Sequence, residues 1–97
     1  MGSIKVSLLT SFAKLANPFE FHLDIKEGEK VKDLIEKLHK KCGDEFFKVL
    51  YDVNHNIPED VVILQNGVNI TLKPENGFLE PLQDKQEYVF CNMISMG

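Results

Sequence analysis

Hydrophobic and polar residues alternate in two segments near the start of the chain. Ile4, Val6 and Leu8 are separated by single polar residues, and residues 19–25 alternate without a fault after the breaker Pro18. This period of two is typical of strands with one buried face. The sequence therefore predicts two strands, which we expect to pair as an antiparallel hairpin.

The period changes after a predicted turn at residues 26–29. The spacing i, i+3, i+4, i+7, i+11 is that of an amphipathic helix, and its apolar stripe consists of Val31, Leu34, Ile35, Leu38 and Cys42. Gly43 is the expected C-terminal cap. Asp44 is the expected N-cap of a short second helix that carries Phe46, and residues 52–60 are expected to form a polar loop.

A second hairpin is predicted further along the chain. Residues 61–64 and 69–72 flank Asn66-Gly67, a pair typical of a type I′ turn, and residues 87–91 have the composition of a final strand. The predicted order is strand, strand, helix, short helix, strand, strand, strand. The fold class is therefore α+β, with one main helix on a sheet of about four to five strands, in a single domain of residues 1–97 that ends in a flexible tail from about residue 91.

Composition and charge narrow the functional classes. The chain has 97 residues, 43% of them hydrophobic, which suits one domain. The net charge of -4 argues against nucleic-acid binding. No apolar run approaches the roughly 18 to 20 residues that span a bilayer, and the first residues do not resemble a signal peptide, so a cytoplasmic location is expected.

The residues that usually carry chemistry do not form a recognisable motif. Cys42 and Cys91 are far apart in sequence and are expected to be free thiols. The histidines lack metal-ligand spacing, apart from His39 near Cys42, which makes at most half a site. The sequence therefore predicts no metal site and no catalytic side chain, and whether the chain counts as an enzyme stays open.

Several segments in order resemble the ubiquitin-like sulfur carriers of the β-grasp fold, and most closely the small subunit of molybdopterin synthase (the MoaD group). The matching segments are residues 11–15, 30–38, 64–70 and 81–90, followed by the tail residues 94–97. The resemblance spans nearly the whole chain. It rests on the joint order and spacing of the segments, because each one alone is common.

The resemblance implies that the chemistry takes place at the C-terminal carboxylate of Gly97. In that family an E1-like adenylyltransferase uses ATP to convert the carboxylate into an acyl-adenylate, and a sulfur donor then gives a thiocarboxylate. The large subunit of molybdopterin synthase directs this thiocarboxylate at a pterin precursor of the molybdenum or tungsten cofactor. No cofactor is expected to be bound by the carrier itself.

The tail departs from the family pattern at two places. Asn92-Met93 stand where the family has a pair of prolines, and Met96 stands where it has the penultimate glycine, whereas Gly97 is kept. Methionine is unbranched and adaptable, so we expect that a slightly wider channel in the partner can accept it. The sequence permits activation on this reading, with a frayed, inert terminus as the alternative.

A partner-binding surface is predicted around the tail. Its candidate residues are Phe12, Lys14, Phe90, Cys91, Asn92, Met93, Ile94, Ser95 and Met96. For Phe12 and Phe90 the alternative is a place in the core. For Cys91 the alternatives are a persulfide relay and a small buried hydrophobe, and for Lys14 a solvated loop position.

Three functions remain open at this point. The leading one is sulfur transfer to a pterin, although a thiazole or tRNA acceptor is not distinguished by the sequence. The second is a protein modifier joined through Gly97 to lysines of other proteins. The third is a protein-binding module whose tail is a relic.

Overall fold

A computed structural model describes residues 2–71 and 77–93 of the chain. Within these ranges it contains β1 (Gly2–Leu8), β2 (Glu20–Ile25), β3 (Val61–Gln65), β4 (Val68–Asn69) and β5 (Glu87–Asn92). Its helices are α1 (Val31–Cys42), α2 (Asp44–Leu50) and a 3-10 helix (Thr10–Leu15). None of the helices in these ranges is long and apolar enough to cross a membrane.

The strands form one mixed sheet in the order β2-β1-β5-β3-β4. β1 and β2 are antiparallel, which confirms the first predicted hairpin, and β3 is antiparallel to both β4 and β5. β1 and β5 are parallel, and this pairing requires the long crossover that carries α1. The α+β class is confirmed, and β5, the last strand in sequence, lies in the middle of the sheet.

The core lies between one face of the sheet and the helices. Ile4, Val6 and Leu8 of β1 are buried in it, together with the apolar stripe of α1 except for Cys42, which is only partly buried. Three aromatic rings fill the end of the core near the 3-10 helix, with centroid separations of 5.8 to 6.1 Å between them: Phe12, Phe46 and Phe90. Tilted rings at this separation attract one another in addition to the area they bury.

The first turn of α1 is held by the segment that precedes β5. The carboxylate of Asp33 accepts a hydrogen bond from Lys30 N–H at 2.8 Å. Val31 N–H donates to the Glu80 carbonyl at 2.9 Å, and the next amide donates to the carbonyl of Phe78 at 3.0 Å. Backbone carbonyls from elsewhere in the chain thus satisfy N–H groups that a helix start leaves open.

Gly43 ends α1 as predicted, with a positive φ of 81° and its N–H bonded to the His39 carbonyl at 2.8 Å. Gly43 is also the N-cap residue of α2. The prediction that Asp44 caps this helix is therefore wrong, because Asp44 is already its first helical residue. One glycine turns the chain between the two helices.

The second hairpin is shorter than predicted. Asn66 and Gly67 have φ values of 49° and 85°, both positive as a type I′ turn requires, and this prediction is confirmed. β4 ends at Asn69, however, because the Asn69 side chain accepts a hydrogen bond from Thr71 N–H at 2.9 Å and draws the backbone into a local turn. The remaining predicted strand residue, Leu72, lies outside the described residues.

Candidate tail-exit site

The end of β5 is where the described chain leaves the sheet. Cys91 ends the predicted final strand and belongs to β5. Asn92, which the sequence placed in the tail, belongs to β5 as well and pairs with Val61. The ladder continues for one further bond, from Met93 N–H to the Asp60 carbonyl at 2.6 Å. Met93 itself is 61% exposed.

The side chain of Asn92 is held by polar groups from two other segments. Its Oδ1 lies 2.9 Å from the Thr10 hydroxyl and also accepts a hydrogen bond from the Ser11 hydroxyl. Its Nδ2 donates to the Asp60 carboxylate at 3.3 Å, and its backbone N–H donates to Thr10 Oγ1 at 2.7 Å. We call these four residues, Thr10, Ser11, Asp60 and Asn92, the Asn92 clamp.

The 3-10 helix brings the two hydroxyl groups to this place. Leu9 N–H donates to the Phe90 carbonyl at 2.9 Å, and Phe12 N–H donates to the Leu9 carbonyl at 3.0 Å. The buried ring of Phe12 packs 6.0 Å from that of Phe90. Thr10 adopts a positive φ of 55°, which turns the chain sharply at the end of β1. Packing of Phe12 therefore fixes the hydroxyls over the end of β5.

Phe12 and Phe90 are fully buried, so their predicted direct contact with a partner is wrong. Both side chains are in the core, which was the alternative for each, since their rings pack on one another and on Phe46. Lys14 is exposed on the 3-10 helix near the clamp. The predicted roles of Ile94, Ser95, Met96 and Gly97 lie outside the described residues.

Cys91 lies on the sheet face opposite α1 and is partly buried. Burial raises the pKa of its thiol above the ordinary value of 9.0, and so disfavours the thiolate that a persulfide relay needs. The arrangement matches a small, partly buried hydrophobe better than a reactive thiol.

The sheet face opposite α1 carries an apolar strip across β3 and β5. Strand alternation places Val62 opposite Cys91 and Leu64 opposite Val89 on this face. Lys5 of β1 lies farther from the tail exit and approaches the carboxylates of Glu20 and Glu87 at 3.6 and 3.5 Å. The strip leads along β5 toward Met93, but Val62 is only 3% exposed and the other three side chains are partly buried.

His39 and Cys42, which the sequence offered as at most half a metal site, lie near the junction of α1 and α2. His39 stacks on Phe47 with a centroid distance of 4.0 Å, and its Nε2 lies 2.7 Å from the Asp44 carboxylate. Burial raises the pKa of the Cys42 thiol. In residues 2–71 and 77–93, no group of three histidine, cysteine or acidic residues is placed to hold a metal ion.

Sequence reasoning missed Thr10, Ser11 and Asp60. The only signal in the sequence was a polar pair directly after the first strand and an acidic residue directly before the third. Neither pattern identifies Asn92 as the common partner, because the contacts join residues that are far apart in sequence.

Comparisons with solved structures identify the fold. A putative molybdopterin converting factor, subunit 1, from Pyrococcus furiosus matches with a TM-score of 0.69 and 27% identity, over 97% of this chain and 100% of that one. Small archaeal modifier protein 1 from Methanosarcina acetivorans matches at 0.71 and 26%, over 100% and 98%. The modifier protein SAMP1 from Haloferax volcanii matches at 0.76 and 17%, over 99% and 100%.

Further matches include CysO from Mycobacterium tuberculosis, a complex of CysO with BexX from Amycolatopsis orientalis, and Urm1 from Trypanosoma brucei, at 14% to 19% identity. Such low identities show the fold alone. Neither the scan of protein-family models nor the search of curated proteins gives a match. The structural neighbours are ubiquitin-like sulfur carriers of the β-grasp fold, so both the predicted fold and the predicted resemblance are confirmed.

Proposed function

We propose that this chain, which has the fold of ubiquitin-like sulfur carriers and modifiers, is a sulfur carrier activated at the carboxylate of Gly97. We further propose that it is the small subunit of a molybdopterin synthase, which donates the sulfur of the molybdenum or tungsten cofactor. The similarity to the Pyrococcus furiosus protein, at 27% identity over the full length of that chain, is the observation that carries this proposal.

The geometry of the tail exit is compatible with this role. β5 is paired on both sides, with β1 and with β3, so the strand that precedes the tail is held inside the sheet. Met93 follows it directly and is largely exposed. A folded body with a chain end leaving from its central strand can present that end to the active site of another protein while the sheet stays intact.

The proposed reaction occurs in two steps. The Gly97 carboxylate attacks the α-phosphorus of ATP and expels pyrophosphate, which gives an acyl-adenylate. A sulfur nucleophile at the oxidation level of sulfide then attacks the acyl carbon and expels AMP, so that the thiocarboxylate forms without a redox change. The catalytic groups belong to the partner, and the carrier supplies the carboxylate and the surface that binds the partner.

Two partners follow from this proposal: an E1-like adenylyltransferase and the large subunit of the synthase. ATP and the sulfur donor are used through the activating enzyme, and the carrier holds no cofactor of its own. We propose a cytoplasmic site of action. The complex of CysO with BexX supports the expectation of protein partners, since a protein of this fold is seen there with another protein bound.

Intact-mass measurement tests the sulfur-carrier proposal. The chain is incubated with its activating enzyme, ATP and a sulfur source, and the expected result is replacement of one oxygen by sulfur at Gly97. A variant that lacks Met96 and Gly97 is the matched control, and it should show no exchange. Absence of exchange in the unaltered chain would refute the proposal. Exchange without transfer to the pterin precursor would refute only the molybdopterin role.

A second function is supported by the similarity to small archaeal modifier protein 1 from Methanosarcina acetivorans, at 26% identity over nearly the same length. In this case the activated Gly97 carboxyl forms an isopeptide bond with a lysine of another protein. Affinity-tagged chain recovered from its native cell should then carry lysine-linked adducts. If both assays are negative but a partner still binds the chain lacking Met96 and Gly97, the binding-module alternative is the correct one.

A further inference from the structure

We propose that Asn92 is a positioning residue that sets the direction in which the tail leaves the sheet, and that it does so through the clamp formed with Thr10, Ser11 and Asp60. The inference rests on the proposed activation at Gly97. In that function Asn92 does not touch the reacting carboxylate. It acts through the backbone of Met93.

The clamp uses each polar atom of the Asn92 side chain for a different segment. Oδ1 faces the hydroxyls of Thr10 and Ser11 on the 3-10 helix, and Nδ2 faces the carboxylate of Asp60, the residue directly before β3. Since the Asn92 backbone also donates to Thr10, the residue is fixed on both sides of β5. An amide is the group that meets both needs, because it has an acceptor at one atom and donors at the other.

These contacts are exposed, and exposed hydrogen bonds contribute little to the stability of a domain. Their effect is therefore expected to be local. The residue beyond the clamp is Met93, whose N–H bonds to the Asp60 carbonyl at 2.6 Å. Asp60 thus holds Asn92 through its side chain and Met93 through its backbone, so that loss of the clamp loosens the first residue of the tail.

Because Met93 is already held in place before binding, its backbone loses less conformational entropy when the tail enters the partner's active site. Fixing the backbone of one residue corresponds to roughly a tenfold change in rate. We therefore expect Asn92→Ala to lower the kcat of Gly97 activation about tenfold. KM should change less than kcat, because the Asn92 side chain is bonded to Thr10, Ser11 and Asp60 within the chain.

A reciprocal exchange separates positioning from a general disturbance. Asn92→Asp keeps the acceptor for the hydroxyls but places a second carboxylate against Asp60, where the amide donor stood at 3.3 Å. The single variant Asn92→Asp should therefore lower kcat about as much as Asn92→Ala does. In the double variant Asn92→Asp with Asp60→Asn, the amide at position 60 can donate to the carboxylate at position 92, which reverses the original hydrogen bond. This double variant should recover most of the lost kcat. Asn66→Asp is the control for the change of charge. Asn66 lies in the turn between β3 and β4, beside the start of β5, and this variant should leave kcat unaltered.

Hydrogen exchange at the Met93 amide supplies a readout that needs no activating enzyme. It should become several-fold faster in Asn92→Ala and Asn92→Asp, and return toward the original rate in the double variant. Unchanged exchange would overturn the clamp itself. Faster exchange with an unchanged kcat would overturn the positioning role. If the unaltered chain is not activated at all, the proposed function fails, while the exchange rates still decide whether Asn92 orients the tail.

Discussion

Replacing Gly77 with alanine tests whether the segment that supports the start of α1 depends on a close backbone approach. Gly77 has a φ of 73°, and a β-carbon built there lies against the Ile70 carbonyl oxygen and 3.1 Å from its carbonyl carbon. Gly28 has a similar φ of 86° but no atom within 4 Å of the corresponding position. An alanine at either position therefore has a similar conformational cost. The two substitutions differ only in the contact that the added β-carbon makes with Ile70 at position 77.

The expected magnitudes follow from this difference. Alanine in the left-handed region costs about 1 to 2 kcal/mol, partly offset by a less flexible unfolded chain, so Gly28→Ala should lose about 1 kcal/mol. The contact with the Ile70 backbone adds about 1 to 3 kcal/mol, the usual cost of overpacking, so Gly77→Ala should lose about 2 to 4 kcal/mol in total.

Urea unfolding of both variants, followed by circular dichroism, measures the two losses. A lower midpoint with an unchanged slope indicates a true loss of stability. Equal losses for Gly77→Ala and Gly28→Ala would show that the close approach to Ile70 carries no energy, and would refute this reasoning.

Three further outcomes are expected. Phe12→Ala should cost about 3 to 5 kcal/mol in urea unfolding, and Phe12→Leu less, because the buried ring is packed against two others. In a Cys42→Ser variant, a thiol reagent should modify Cys91 more slowly at neutral pH in the folded chain than in urea, because burial raises the pKa of that thiol; equal rates would contradict this. Burial acts to raise the pKa of Glu29, but a hydrogen bond from Lys37, a backbone amide and nearby positive charge lower it below 4.5. The ionised Glu29 carboxylate therefore stabilises the folded chain above about pH 4.5, and this contribution is lost as the pH falls through the lowered pKa of Glu29. Glu29→Gln should accordingly destabilise the chain at neutral pH and not in strong acid.

Local patterns were sufficient to predict most of the fold. The alternation in residues 19–25, the stripe on α1 and the Asn66-Gly67 turn each depend on neighbours within a few positions, and all three are confirmed. The 3-10 helix was not predicted, since its one buried residue, Phe12, shows no period. Its position is set by packing against Phe90, which is distant in sequence.

The candidate site was less accessible to sequence reasoning for the same physical reason. Residues 91–97 were identified as important by their place in the chain and by resemblance. The Asn92 clamp, however, is made of contacts between Asn92, Asp60 and the Thr10-Ser11 pair, and a single sequence does not reveal which polar residues meet across a sheet. The sequence also suggested surface roles for Phe12 and Phe90, whose large side chains are used in the core.

The central position of β5 has a consequence for how the protein is made. β5 is synthesised after the other four strands, so before it is made the sheet can form only as two separate pairs, β2 with β1 and β3 with β4, which no described strand joins. Prematurely terminated products lack the strand that unites them and cannot complete the sheet. A chain that completes the sheet has therefore been translated at least into β5, and joining the two pairs is the last step of sheet formation that synthesis allows.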